Sequence, residues 1–265
     1  MRPCSGAFLY IFFILATFIS VKADTVAFFY ALDKDFEMLK AEGQVGGQSL
    51  KVGSHNIPVL QIASHRVFAI KMGSGVVETA ASTQALLARV KCDEAFSVGP
   101  VGEISDHLKP GSWHRVESII CYQKGSWTKS GFEASPGAEM EQTNAIAATN
   151  LPGLFLKLDN IKVASGEIFV ASDSYRTQLR ETTKADAVDM NLFGLAMVCM
   201  DHHLPLTNWR VVSDHADENA GDDFKKFVAS YDGAGGRAVA EAIKNLSANP
   251  NSPESYPNLK KLLSP

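Results

Sequence analysis

Apolar and polar positions follow two rhythms along this chain, one of strands and one of helices. Thr25–Leu32 (TVAFFYAL) is an unbroken apolar run, as expected of a strand buried on both faces. Asp33–Glu42 then carries Phe36 and Leu39 at helical spacing. After the glycine-rich stretch Gly43–Gly53, Asn56–Ala63 and His65–Lys71 predict hairpin strands. Gly73-Ser74-Gly75 predicts a turn, and Val76–Val90 an alanine-rich helix. Glu94–Val98 predicts a short strand that stops at a tight turn, Gly99-Pro100-Val101-Gly102. Trp113–Tyr122 predicts a strand, and residues 123–150 a long polar loop or lid with one short helix. Ile161–Ala164 and Thr207–Val212 predict strands, and Ala187–His202 a helix. Asp223–Leu246 predicts a last helix interrupted by Gly233, Gly235 and Gly236. The tail after Ser247 is rich in Pro, Ser and Asn. This alternation, with glycine loops at strand ends, predicts one α/β domain: a mostly parallel sheet flanked by helices. Ligands of such sheets sit beyond the carboxyl ends of the strands. Four segments lie there: Ala31–Asp35, Gly99–Gly102, Gly166–Val170 and Ser213–Asp214.

The first 23 residues break the pattern. Arg2 is followed by a fifteen-residue apolar run, Ala7–Val21, and then by Val21-Lys22-Ala23. A positive start, a short apolar core and small residues before a cut are the parts of a secretory leader. A membrane span needs roughly 20 apolar residues, so an uncleaved anchor is the lesser reading. The expectation is a signal peptide over 1–23, a domain over 24–265, and a secreted or periplasmic product with no membrane attachment after cleavage.

The 265-residue chain has 25 Lys+Arg against 29 Asp+Glu, so it lacks the basic excess that nucleic-acid binding demands. Its 46% hydrophobic content excludes a disordered chain. Cys92, Cys121 and Cys199 follow the leader, the last two beside Ile119-Ile120 and Met197-Val198, and all three read as buried thiols. His202 and His203 are adjacent and point apart on a helix, so no metal site is expected and no cofactor is called for.

Among the polar residues, Asp214 ends the apolar strand that contains Arg210. A carboxyl shielded from water at such a place can act as a proton donor; it can equally cap a helix, as can Ser213 and Asp217. Gly73-Ser74-Gly75 could turn backbone N–H groups toward an anion, but it lacks the lysine of a P-loop. Asp232–Gly236 (DGAGG) has no strand before it and reads as a helix break.

The order of these segments is more specific than any one of them. Ala31-Leu32-x-x-Asp35, Gly73-Ser-Gly75, Gly99-x-x-Gly102, Ser165-Gly166-Glu167-x-Phe169-Val170, Ala187-Val188-Asp189-Met190 and Arg210-Val-Val-Ser213-Asp214-x-Ala216-Asp217 follow one another. The series resembles the nucleoside phosphorylase/nucleosidase superfamily, most of all its methylthioadenosine/S-adenosylhomocysteine nucleosidase branch. The resemblance implies a single α/β domain with a mixed, partly barrel-like sheet, a homodimer, and cleavage of the purine–ribose bond of a small nucleoside. It implies that Asp214 protonates purine N7, that Phe169 stacks on the base and that the Val170 backbone reads its edge. By the same resemblance Met190 packs under the ribose, Ser213 and Ala216 position Asp214 and the base, and Phe224 closes the 5′ end. Ala31, Leu32, Gly75, Val101, Gly102 and Arg210 border the base and nucleophile pockets, and Asp35 orients the water.

This sequence departs from the family at three points. Asn191 stands where a glutamate grips the ribose hydroxyls; it can hydrogen-bond but carries no charge. Asp35 replaces a longer glutamate, and Pro100 replaces a serine, losing a hydroxyl and a backbone donor. Together these imply a changed nucleoside or lowered turnover. Two alternatives share the resemblance: a phosphate-dependent phosphorylase, and a non-catalytic nucleoside-binding or storage protein.

Overall fold

The computed structural model describes residues 25–141 and 158–246. The leader, the tail after Ser247 and the second part of the 123–150 segment lie outside the described residues.

The apolar run at the start forms β1 (Thr25–Tyr30), with all six residues buried. It has no polar face because it runs parallel between two other strands, β4 (His65–Lys71) and β5 (Glu94–Glu103). Beyond β4, β3 (His55–Ile62) and β2 (Gln44–Val52) add an antiparallel hairpin edge. The glycine-rich stretch is thus strand β2, with a register shift between Val45 and Ser49 that its glycines accommodate. On the other side of β5 come β12 (Leu206–Asp214), β6 (Trp113–Cys121), β10 (Asn160–Ser165) and β11 (Ala187–Asp189). β11 pairs parallel with β10 and antiparallel with the end of β5, through Val188↔Gly102. The ten-stranded mixed sheet therefore closes into a partial barrel made of β5, β12, β6, β10 and β11. Short strands β7 (Gly125–Thr128), β8 (Gly131–Ala134) and β9 (Glu139–Glu141) replace the expected loop; β9 pairs with β6.

Among the described residues six helices flank the sheet: α1 (Asp33–Glu42), α2 (Val76–Leu87), α3 (Asp173–Thr183), α4 (Leu192–Asp201), α5 (Ala220–Ser230) and α6 (Ala234–Leu246). α2 packs on α4, and α1 packs on α6. Close approach explains two glycines: a Cβ at Gly194 would overlap the Val76 carbonyl, and one at Gly236 the backbone of Asp35. Gly235 and Gly236 therefore lie inside α6 and do not break it. The interruption falls at Tyr231–Gly233, where Gly233 takes φ 78°.

Two further expectations are corrected. The Ala187–His202 run is not one helix. Its first three residues form β11, and α4 begins after Asn191. Gly99–Gly102 is not a turn but the continuation of β5 along β12. Pro100 is tolerated there because pairing with β1 ends at Val98 and pairing with β11 starts at Gly102, so a missing N–H costs that edge nothing. Cys121 and Cys199 are buried, Cys92 is half-buried, and all three are free thiols. No helix among the described residues is long and apolar enough to cross a membrane.

Candidate active site

A cleft of about 800 Å³, its open mouth included, lies beyond the carboxyl ends of β1, β4, β5, β11 and β12. Ala31, Leu32, Val101, Gly102, Phe169, Val170, Met190, Asn191, Ser213, Asp214 and Phe224 all line it, from segments up to 193 positions apart. Lys71, Met72, Gly73, Ser74, Pro100, Ile168, Val188 and Asp189 complete the wall. Lys71 is held by Asp33 in an exposed ion pair. Asp35, Gly75, Arg210 and Ala216 are not on the wall.

Asp214 stands at the end of β12 and is 2% exposed. Its Oδ1 accepts the Ala216 N–H at 2.9 Å, which fits because Ala216 takes a left-handed φ of 53°. Its Oδ2 lies 2.7 Å from Ser213 Oγ, and that oxygen is also 3.1 Å from the Val101 carbonyl. The Ser213 hydroxyl has one proton and a carbonyl can only accept. Both contacts are satisfied together when Asp214 is protonated and donates to Ser213 Oγ while Ser213 donates to Val101. Burial pushes the Asp214 carboxyl above the usual carboxylate range, against the pull of Ser213, Ala216 and His215. Geometry and desolvation thus both favour a carboxylic acid facing the cleft.

Phe169 lies in the loop between β10 and α3 and is 43% exposed, its ring edge-on to Phe224 at 5.9 Å. The loop is braced on both sides. Tyr122 Oη donates to the Ile168 carbonyl at 3.1 Å, and Glu167 Oε1 accepts the Val77 N–H of α2 at 2.8 Å. Gly75 supports this brace from outside the cleft, since a Cβ there would overlap the Glu167 carboxylate.

Beneath the cleft is a buried layer of charge. Arg210 is wholly buried and donates to Ser97 Oγ at 3.0 Å and to the Trp209 carbonyl at 2.9 Å. Burial lowers its pKa to about 10, with Asp189 and Asp35 opposing, so it stays cationic at neutral pH. Asp189 faces it, 3.9 Å from Nε, and also accepts the Leu192 N–H at the start of α4. Asp35 is fully buried; its Oδ1 accepts from Tyr231 Oη at 2.6 Å and from the Gly236 N–H at 3.0 Å. Its Oδ2 has no hydrogen-bond partner among the described residues. Burial raises its pKa to about 6, against Tyr231, Gly236 and Arg210. The second carboxylate on the cleft wall is therefore Asp189, which the motif series contains but which its likeness to a helix cap concealed. Asn191 lines the cleft as N-cap of α4, and its side chain makes no capping hydrogen bond.

Residues 25–244 match the phosphorylase superfamily, and the chain belongs to that family. Within it, the chain is 27% identical over 187 residues to the 5′-methylthioadenosine/S-adenosylhomocysteine nucleosidase of Buchnera aphidicola subsp. Baizongia pistaciae, covering 67% of this chain and 73% of the relative. The same-named enzyme of Neisseria meningitidis, solved with methylthio-immucillin-A, superposes with a TM-score of 0.71 at 22% identity, over 83% of this chain and 99% of that one. The futalosine hydrolase of Helicobacter pylori strain 26695 superposes with a TM-score of 0.71 at 17% identity, over 84% and 97%. These superpositions establish a shared fold.

Proposed function

We propose that this protein is a purine nucleosidase that hydrolyses the N-glycosidic bond of an adenosine-type nucleoside such as methylthioadenosine or S-adenosylhomocysteine. The observation that carries the proposal is the Asp214–Ser213–Val101 arrangement, which suits a protonated carboxyl at the cleft beside the Phe169–Phe224 pair. The names of the curated relatives support the same chemistry.

In the proposed reaction the base stacks on Phe169, its edge against the Val170 backbone. Asp214 gives its proton to N7 as the bond from N9 to C1′ breaks, so the base leaves neutral. Positive charge develops on the sugar as an oxocarbenium-like species. Water attacks C1′ as its second proton passes to solvent, Asp214 regains a proton from solvent, and free sugar and base result. Met190 lies under the ribose and Asn191 hydrogen-bonds its hydroxyls. With a neutral Asn191, stabilisation of the cationic sugar falls to Asp189, the second carboxylate on the cleft wall. A water-orienting role for Asp35 requires its unpartnered Oδ2 to face that water. Ser213 and Ala216 position Asp214; Gly75 and Arg210 act from behind the wall.

Free base is followed with methylthioadenosine, S-adenosylhomocysteine, adenosine and inosine, with and without phosphate. Release without phosphate is the expected result. Strict phosphate dependence would instead support a phosphorylase, and calorimetric binding without release a storage or binding protein, the reading that Asn191 and Pro100 favour. We include in the proposal export directed by residues 1–23, checked by N-terminal sequencing of the secreted product, and a homodimer, checked by light scattering. The exposed apolar Val77 and Ile168 beside the Glu167 brace favour a covered face there.

A further inference from the structure

The residue after Asp214 is tied to a buried carboxylate that the proposed reaction does not use. Glu103, at the end of β5, is 1% exposed, and its Oε2 accepts from His215 Nδ1 at 2.8 Å. Glu103 follows Gly102, whose backbone packs so closely on Asp214 that a Cβ there would come within 2.9 Å of Oδ1. The pair therefore joins the ends of β5 and β12 on either side of the Asp214 carboxyl.

The turn between is fixed by other bonds as well. Arg176 of α3 donates to the His215 carbonyl at 2.7 Å, and the Ser172 N–H donates to the Ala216 carbonyl at 3.1 Å. Ala216 holds the left-handed conformation at φ 53°, which a non-glycine residue keeps only where its surroundings impose it. A buried carboxylate is costly unless it is paired. Here the hydrogen-bonding partner is His215, whose side chain is 42% exposed.

We propose that Glu103 and His215 are a positioning pair for the proton donor: Glu103 fixes the imidazole through Nδ1, and the imidazole holds the Asp214 turn and brings its charge beside the Asp214 carboxyl. This rests on the reading of Asp214 as the acid. An imidazolium there would favour the carboxylate that remains after the proton has passed to the base. The other charged groups facing the turn are Arg176 and Asp173 of α3, Asp106 after β5, and Asp223 of α5; Arg176 lies 3.9 Å from Glu103 and also meets Asp106 and Asp173.

The test is the pH profile of kcat/KM for the wild type, His215→Gln, His215→Ala and Asp214→Asn. Glutamine can still donate to Glu103 but carries no charge, so the brace survives and the field does not. A general acid works while protonated, and removing a nearby cation makes its proton harder to lose. The falling limb should therefore move to higher pH by about half a pH unit or more in both His215 variants. His215→Ala should in addition lose about tenfold in kcat with KM little changed, and His215→Gln should recover most of it. A merely structural role would lower kcat and leave the limb in place; an unmoved limb in His215→Gln overturns the proposal. If Asp214→Asn is inactive and that limb does not move, the pairing fails alone. If Asp214→Asn keeps wild-type turnover, the proton-donor reading fails with it. Titration of the Asp214 carboxyl carbon by NMR reads the same shift independently of turnover, and an unchanged midpoint in His215→Gln contradicts the proposal equally.

Discussion

Asp214 and Asp35 are both almost wholly buried carboxyls that follow parallel strands of one sheet, and burial raises the pKa of both. Their surroundings differ. Asp214 sits in a turn of serine, histidine and a left-handed alanine at the open end of the strands, and its partners suit a proton that can be given away. Asp35 sits where α1 and α6 cross, held by Tyr231 from the break between α5 and α6 and by a helical N–H. The rim of the cleft suits the proton transfer proposed for Asp214. The layer beneath it balances one arginine against two carboxyls. Burial alone thus does not mark a candidate acid; access to the cleft and a hydrogen-bond set that suits the protonated form do.

If the lower layer is a charge balance, Arg210→Met should break it most severely. Two buried carboxyls would lose their cation, a change typically costing about 3–5 kcal/mol. Denaturant unfolding should show that loss, and show it larger at pH 8 than at pH 5, where the carboxyls can neutralise themselves by protonation. Asp35→Asn comes next. A carboxyl raised from 3.8 to about 6 holds its proton more tightly in the folded protein than in the unfolded one. Stability therefore falls as pH rises through that window and is level above it. The asparagine should remove this loss, raising stability above pH 6.5 by up to about 3 kcal/mol and leaving it unchanged near pH 4. Thermal melts across pH check the sign, and base release by the same variant asks whether Asp35 also serves the water: a stabilised variant with intact turnover would confine it to the lower layer. At the rim, Phe169→Ala should raise KM by about tenfold or more, since stacking of a base on an aromatic ring is worth about 1–3 kcal/mol. Steady-state kinetics should show kcat changed less than KM.

Much of this was legible in the sequence, for reasons that follow from length and burial. A six-residue run in which Thr25 alone breaks the apolar and aromatic sequence, such as β1, reads as an interior strand. The motif series placed the rim because each motif ends a strand, where such sheets bind ligands. What escaped was short or disguised. β11 is three residues at the head of an apolar run that reads as helix. α3 (DSYRTQLRETT) buries only Leu179 and Thr183, too few to mark an apolar face. Gly99–Gly102 has turn composition, yet it continues a strand whose free edge excuses the proline. Asp35 was expected at the water, but its contacts are with Tyr231 and Gly236, some 200 positions away, and no local pattern reports them.

The central claim is that Asp214 gives its proton to the departing base. Release of adenine from methylthioadenosine by residues 24–265, in phosphate-free buffer, tests it directly when wild type and Asp214→Asn are measured side by side. The account predicts release by the wild type and a fall of about 10²–10⁴-fold in kcat for the variant, with the variant still folded by circular dichroism. Equal rates for the two proteins would contradict it.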